Sequence, residues 1–241
     1  MRAVLFGLGT VATVSYASSV FAHDDHAALE RDVIEILLAR PEIIIAALTV
    51  AEEREVAEKA KRERERVSSV ASEVLVAEAN GSLEEGATPL IAEFFDYRCG
   101  YCARAAEITE EFSENHDGRV RLVQFPILGE DSVAIARLAI GLRNTHGMDA
   151  YTLFHREMFE QSVQPKTAQT AIRVMASAGF DTAIVQEASL SAEVDNELQR
   201  NMDWARQIGI NGTPAYLAAN GVAAGVQMLV DLETLAKGTS K

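Results

Sequence analysis

Cysteine is nearly absent: the 241 residues hold two, Cys99 and Cys102, beside a single tryptophan, Trp204. A small fold stapled by several bridges is excluded, because such scaffolds need many more cysteines. Positive charge is scarce as well. Lys and Arg number 22 against 36 Asp and Glu, a formal net charge of −14. Gripping nucleic-acid phosphates needs a basic face, so that class of partner is excluded. Beyond the N-terminus no apolar run approaches the roughly 20 residues that a membrane-crossing helix requires. Neither an internal repeat nor a low-complexity linker occurs. What is present is ordinary for a globular protein: 48% hydrophobic and 24% charged residues. The length suffices for one good-sized domain and something extra.

The first 22 residues read as a secretory signal. Arg2 supplies the positive start, residues 4–14 an apolar core, and Val20-Phe21-Ala22 a cut ahead of His23. The apolar core is too short to span a bilayer, although an uncleaved anchor is the competing reading. The expectation is a soluble protein outside the cytoplasm, where a disulfide is permitted.

Residues 23–71 form an expected N-terminal helical extension. Residues 27–39 carry Leu29, Val33, Ile36 and Leu37 at helical spacing, and Pro41 suits the first turn of a short helix over 42–49. Residues 51–71 alternate Glu, Lys and Arg, a solvated helix that buries no core of its own. Such a stalk with an apolar end suggests a homo-oligomer; folding back onto the main domain is the alternative.

The main domain is expected over residues 72–241. Strands are read at 72–78, 89–95 and 119–125, with turns at Asn80-Gly81 and Glu85-Gly86. A helix is expected at 100–115, its apolar residues Ala103, Ala106, Ile108 and Phe112, and another at 133–143. Tyr151, Phe154, Met158 and Phe159 make one core stripe; Ile172, Met175 and Ala176 make a second. A long helix through Val194, Leu198, Met202 and Ala205 precedes a hairpin at Asn220-Gly221 and a closing helix at 231–237. The layout is mixed α/β, one sheet interrupted by a helical block at about 130–190.

Chemistry concentrates where a buried strand runs into a helix at Glu93-Phe94-Phe95-Asp96-Tyr97-Arg98-Cys99-Gly100-Tyr101-Cys102. Two intervening residues let one helical turn bring the sulfurs within bonding distance. A bridge closing so small a loop is a weak staple, and two thiolates supply only half a zinc site. Redox exchange is the stronger reading. A helix start favours a thiolate, so Cys99 is expected to attack and Cys102, one turn inside, to resolve. Glu93 interrupts an apolar strand, either as a buried proton acceptor for Cys102 or as an edge residue facing solvent. Thr213-Pro214, opening a strand, suits either a cis bond beside a paired client strand or an ordinary trans turn.

These three separated stretches, together with Phe125-Pro126-Ile127-Leu128-Gly129 and Gly209-Ile210-Asn211-Gly212, resemble the bacterial periplasmic DsbA-like proteins of the thioredoxin superfamily. The resemblance implies a thioredoxin fold with a helical insertion behind the extension. It also implies a periplasmic protein thiol–disulfide oxidoreductase with Cys99 attacking, Cys102 resolving, Glu93 the buried acid and Pro214 cis. No cofactor is expected beyond the Cys99–Cys102 disulfide, and no metal. Partners would be unfolded or misfolded secreted proteins, met by Gly100, Tyr101, Thr213 and Pro214, and a membrane redox partner that recharges the pair. Gly100-Tyr101 between the cysteines and Thr213 before the proline are similar to the disulfide isomerase DsbC rather than to the oxidising DsbA enzymes. The extension is similar to that of ScsC-type proteins linked to copper tolerance.

A second class of function is a copper-binding dithiol, since soft thiolates suit Cu(I). His23-Asp24-Asp25-His26 is a weaker metal candidate, read chiefly as a solvated terminus. His116, His146 and His155 are expected in surface or core roles and Trp204 in packing, while Asp96, Tyr97 and Tyr101 flank the cysteines as candidate client contacts, with packing the equal alternative for Tyr97.

Overall fold

The computed structural model describes residues 21–76, 90–117, 119–160, 163–219 and 221–238. Most of the signal reading, and the turns at Asn80-Gly81 and Glu85-Gly86, lie outside the described residues. The chain divides into two compact units, Met1–Glu58 and Lys59–Lys241.

The first unit holds α1 (Phe21–Ala39) and the start of α2 (Glu42–Val74). Pro41 opens α2, its carbonyl accepting from the Ile44 and Ile45 amides at 3.1 and 3.2 Å. Leu29, Val33, Ile36 and Leu38 on α1 and Ile44, Ile45 and Leu48 on α2 are all exposed. The expected short helix and charged helix are one continuous element. No glycine or proline interrupts residues 42–74, so nothing breaks the hydrogen-bond ladder between the two compositions.

In the second unit the elements after α2 run β1 (Ile91–Phe95), α3 (Gly100–Asn115), β2 (Val120–Gln124), α4 (Glu130–Phe159), α5 (Ala168–Ser177), α6 (Thr182–Ala188), α7 (Ala192–Gln207), β3 (Ala215–Ala218), β4 (Gly221–Ala224) and α8 (Leu229–Ala236). The sheet order is β2-β1-β3-β4. β1 pairs parallel with β2 and antiparallel with β3, so it is interior, and all five of its residues are buried. A strand covered on both faces reads as a continuous apolar run, as this one does apart from Glu93.

The strand expected at 72–78 is not one. Residues 72–74 end α2, and 77–78 lie outside the described residues. The controlling pattern is Val67, Val70, Ala71 and Val74, spaced for a helix and buried against Phe94, Val123, Trp204 and Leu217. Trp204 Nε1 donates to Glu73 Oε2 at 2.9 Å, and Arg121 Nη1 donates to the Val74 carbonyl at 2.5 Å. The charged stretch therefore buries its last turns, which its composition did not suggest.

Opposite that face, Ile91, Tyr216 and Ala218 pack against Phe112 of α3 and Leu232 of α8. The helical block has its own core of Ile135, Leu142, Tyr151, Phe154, Met158 and Met175, which reaches Phe95, Tyr97 and both cysteines. The expected helix at 133–143 and the Tyr151 stripe are parts of α4, bent at Gly147, whose φ of 84° lies in the region glycine tolerates. Close packing fixes Gly141: a Cβ there would meet the Val185 carbonyl oxygen at 2.8 Å.

Candidate active site

Cys99 is the N-cap residue of α3, with extended φ/ψ of −78° and 115°. Its amide donates to the Asp96 carbonyl at 3.0 Å, and its own carbonyl accepts from Ala103 at 3.2 Å. The Cys99 thiol donates to the Thr213 carbonyl at 3.3 Å, a contact between residues 114 apart in sequence. Both cysteines are free thiols; Cys99 is 7% exposed and Cys102 0%. Burial pushes the Cys102 thiol far up, with the charges of Glu93 and Cys99 adding, while the Asp96 amide and the Thr213 side chain oppose the rise.

Glu93 lies in the interior strand, 3% exposed, so the solvent-facing edge reading does not hold. Burial raises its carboxyl from 4.5 to about 7, and a hydrogen bond from Thr109 limits the rise. A group poised there is ionised and protonated in comparable amounts near neutral pH, which suits a group that takes and returns a proton.

Thr213–Pro214 is cis, and the Pro214 carbonyl accepts from the Gly225 amide at 2.8 Å. Glu93, Cys99, Cys102 and Thr213 are thus brought together, Pro214 following directly in the chain. Gly100 is exposed with open space at its Cα, and Tyr101 is exposed with the Arg104 guanidinium 4.4 Å above its ring. Both stand on the first turn of α3, beside the pair.

Asp96 and Tyr97 are both buried, so of the three residues flanking the cysteines only Tyr101 is open to a client. The partners of Asp96 and His155 went unread in the sequence. Asp96 is 1% exposed and accepts three backbone N–H bonds, from Arg98 at 2.8 Å, Ile127 at 2.9 Å and Leu128 at 3.0 Å. It ties the turn before Cys99 to the loop after β2, and Arg98 Nη1 donates to the Leu128 carbonyl at 2.9 Å across the same join. His155 faces Tyr97, whose hydroxyl lies 3.3 Å from Nδ1, and packs edge-on against Phe95 and Phe159. Burial, helped by Lys166, lowers its imidazole to about 3, so it is neutral. The signal for Asp96 was a carboxylate following a buried strand; for His155 no local signal exists. Among the described residues no group of three or more His, Cys, Asp or Glu side chains converges to hold a metal.

Residues 90–237 match the DSBA-like thioredoxin domain. The chain belongs to that family. A thioredoxin-like oxidoreductase from Silicibacter pomeroyi is 30% identical, covering 61% of this chain and 83% of its own, with a TM-score of 0.56. The catalytic domain of Proteus mirabilis ScsC is 22% identical, covering 72% and 96%, with a TM-score of 0.60. A periplasmic thioredoxin-like protein from Salmonella enterica serovar Typhimurium is 24% identical over 62% and 83%, with a TM-score of 0.54. The last two share the fold. A Haemophilus influenzae protein without an assigned role is 26% identical over 133 residues, and the match spans only 55% of its length. Within the matched residues a thioredoxin fold carries the helical insertion α4–α7 between β2 and β3.

Proposed function

We propose that this protein exchanges disulfides with protein clients in the periplasm, Cys99 attacking and Cys102 resolving. The observation that carries the reading is the meeting of Cys99 Sγ with the Thr213 carbonyl over a buried Cys102 and Glu93. Cys99 attacks one sulfur of a client disulfide, forming a mixed disulfide and releasing the other client sulfur as a thiolate. Cys102, losing its proton to Glu93, then attacks Cys99 Sγ. The Cys99–Cys102 disulfide forms, and the client leaves fully reduced. Run backward, the same steps oxidise a client dithiol.

Isomerase or reductase work is favoured over net oxidation, because Gly100-Tyr101 leaves no histidine between the cysteines to stabilise a thiolate. An assay on scrambled ribonuclease beside one on reduced ribonuclease separates these. Activity on the scrambled substrate is expected; action on the reduced substrate alone overturns the preference. Loss of both activities in Cys99→Ser is expected, and full activity in that variant removes the exchange reading.

The periplasmic location rests on the signal reading of residues 1–22 and on likeness to the periplasmic Salmonella protein. We also infer that the chain self-associates through its extension, since the apolar residues of α1 and early α2 are exposed in a single chain.

A further inference from the structure

The buried stripe of α3 is Cys102, Ala105, Thr109 and Phe112, and Thr109 is its one hydroxyl. Thr109 stands two turns beyond Cys102 on the same face, which turns it toward the sheet beneath the cysteine pair. Across the sheet, Glu93 of β1 and Tyr216 of β3 are directly paired in register, so their side chains share that face. Thr109 Oγ1 lies 3.1 Å from the Tyr216 hydroxyl and also bonds Glu93. All three are sealed from water, with exposures of 3% for Glu93, 5% for Thr109 and 0% for Tyr216.

Hydrogen-bond accounting sets the direction of this chain. An ionised carboxylate only accepts, so Thr109 donates its proton to Glu93. The threonine oxygen then accepts from Tyr216, whose phenol stays protonated because burial and the Glu93 charge push it up. Glu93 takes part in none of the ion pairs of the described residues. The groups around it are Cys102 and Thr109 from α3, Tyr216 from β3 and, opposite on β2, the apolar Leu122. From α8 the residue packed against Tyr216 is Leu232, also apolar.

We propose that Thr109 and Tyr216 are positioning residues that stabilise the ionised form of Glu93 through a two-hydroxyl chain, and so set the pH range in which Cys102 can resolve the mixed disulfide. This rests on the exchange reading above and deepens it. Neither residue touches the client. Their effect passes through the carboxylate, which must be charged to receive the Cys102 proton as the Cys102–Cys99 bond forms and the client thiolate departs. With the donor gone, burial acts unopposed and the carboxyl holds its proton to higher pH.

The test uses the full chain as Thr109→Val, Thr109→Ser and Tyr216→Phe, with two readouts. The first is the pH titration of the Glu93 side-chain carboxyl followed by carbon NMR. Thr109→Val moves its midpoint up by about one unit, Tyr216→Phe moves it up by less, and Thr109→Ser restores it. The second is the rate at which a fluorescent peptide leaves a preformed Cys99 mixed disulfide. Below the midpoint it falls about tenfold in Thr109→Val, in step with the titration shift. A purely structural threonine would leave the midpoint in place, and that result overturns the proposal. So does an equal shift in Thr109→Ser, since the hydroxyl would then be irrelevant. Should Thr109→Val not fold, Tyr216→Phe against Thr109→Ser decides by the same comparison. A wild-type protein inert toward the peptide disulfide sinks the exchange reading alone, because the NMR midpoint is read without any client.

Discussion

Glu93 contributes to stability in a direction opposite to that of a salt-bridged acid. Its carboxyl titrates at about 7 in the folded chain against 4.5 ordinarily. Between those values the folded state binds a proton that the unfolded state has released. The associated stability is complete below pH 4.5 and is lost as pH rises through 7. For a residue this buried the span corresponds to about 3 kcal/mol. Glu93→Gln is therefore expected to unfold at higher denaturant than wild type at pH 8.5 and to lose that advantage at pH 4.5. A gain that does not vary with pH would show that the buried charge is not its origin. Asp96 acts through its hydrogen bonds to the backbone. Its three backbone bonds hold the turn before Cys99 against the loop at residues 127–128. Asp96→Ala orphans those donors, and a loss of about 3 kcal/mol is expected from denaturant melts. The C-x-x-C pair and the intruding Glu93 were legible because each breaks a local pattern. The role of Asp96 was not, because two of its three partners lie about thirty residues further along the chain.

At the scale of elements, two contacts govern how helices seat. α4 approaches α6 so closely at Gly141 that a methyl group would meet backbone rather than a pliable side chain. Gly141→Ala is expected to cost about 1–3 kcal/mol by overpacking, seen as a lower midpoint in a chemical melt. The end of α2 is seated by Trp204, through its bond to Glu73 and its packing with Val70 and Val74. Periodicity located most helices, since a 3.6-residue repeat is a property of the local chain. It failed at residues 72–74, where the β-branched Val74 and Val76 on either side of Leu75 read as part of a strand. There the apolar pocket beside Trp204 decided in favour of the helix. For α3 the expected face of Ala103, Ala106 and Ile108 proved only partly buried, and the fully buried stripe began at Cys102 instead. One helix offers several plausible apolar stripes, and the sheet selects among them.

For the whole molecule, the boundary between units at residues 58 and 59 offers a direct experiment. Deleting residues 23–58 should leave a folded protein with an unchanged rate of Cys99 alkylation, because the sheet, its clusters and the cysteines all belong to the second unit. The mass in solution by light scattering should fall from that of an oligomer to that of one chain. If the intact protein is already a monomer, the exposed apolar residues of α1 have another purpose. Sequence alone determined the α/β layout, the cysteine pair and its place at a helix start, because strand runs, helical repeats and a C-x-x-C spacing are all short-range. Tertiary structure decided which groups surround that pair. Thr213 reaches Cys99 across 114 residues, and Tyr216 reaches Thr109 across 107. Such partners are chosen by strand register and by how a helix rolls on the sheet, and neither is written in any local stretch of chain.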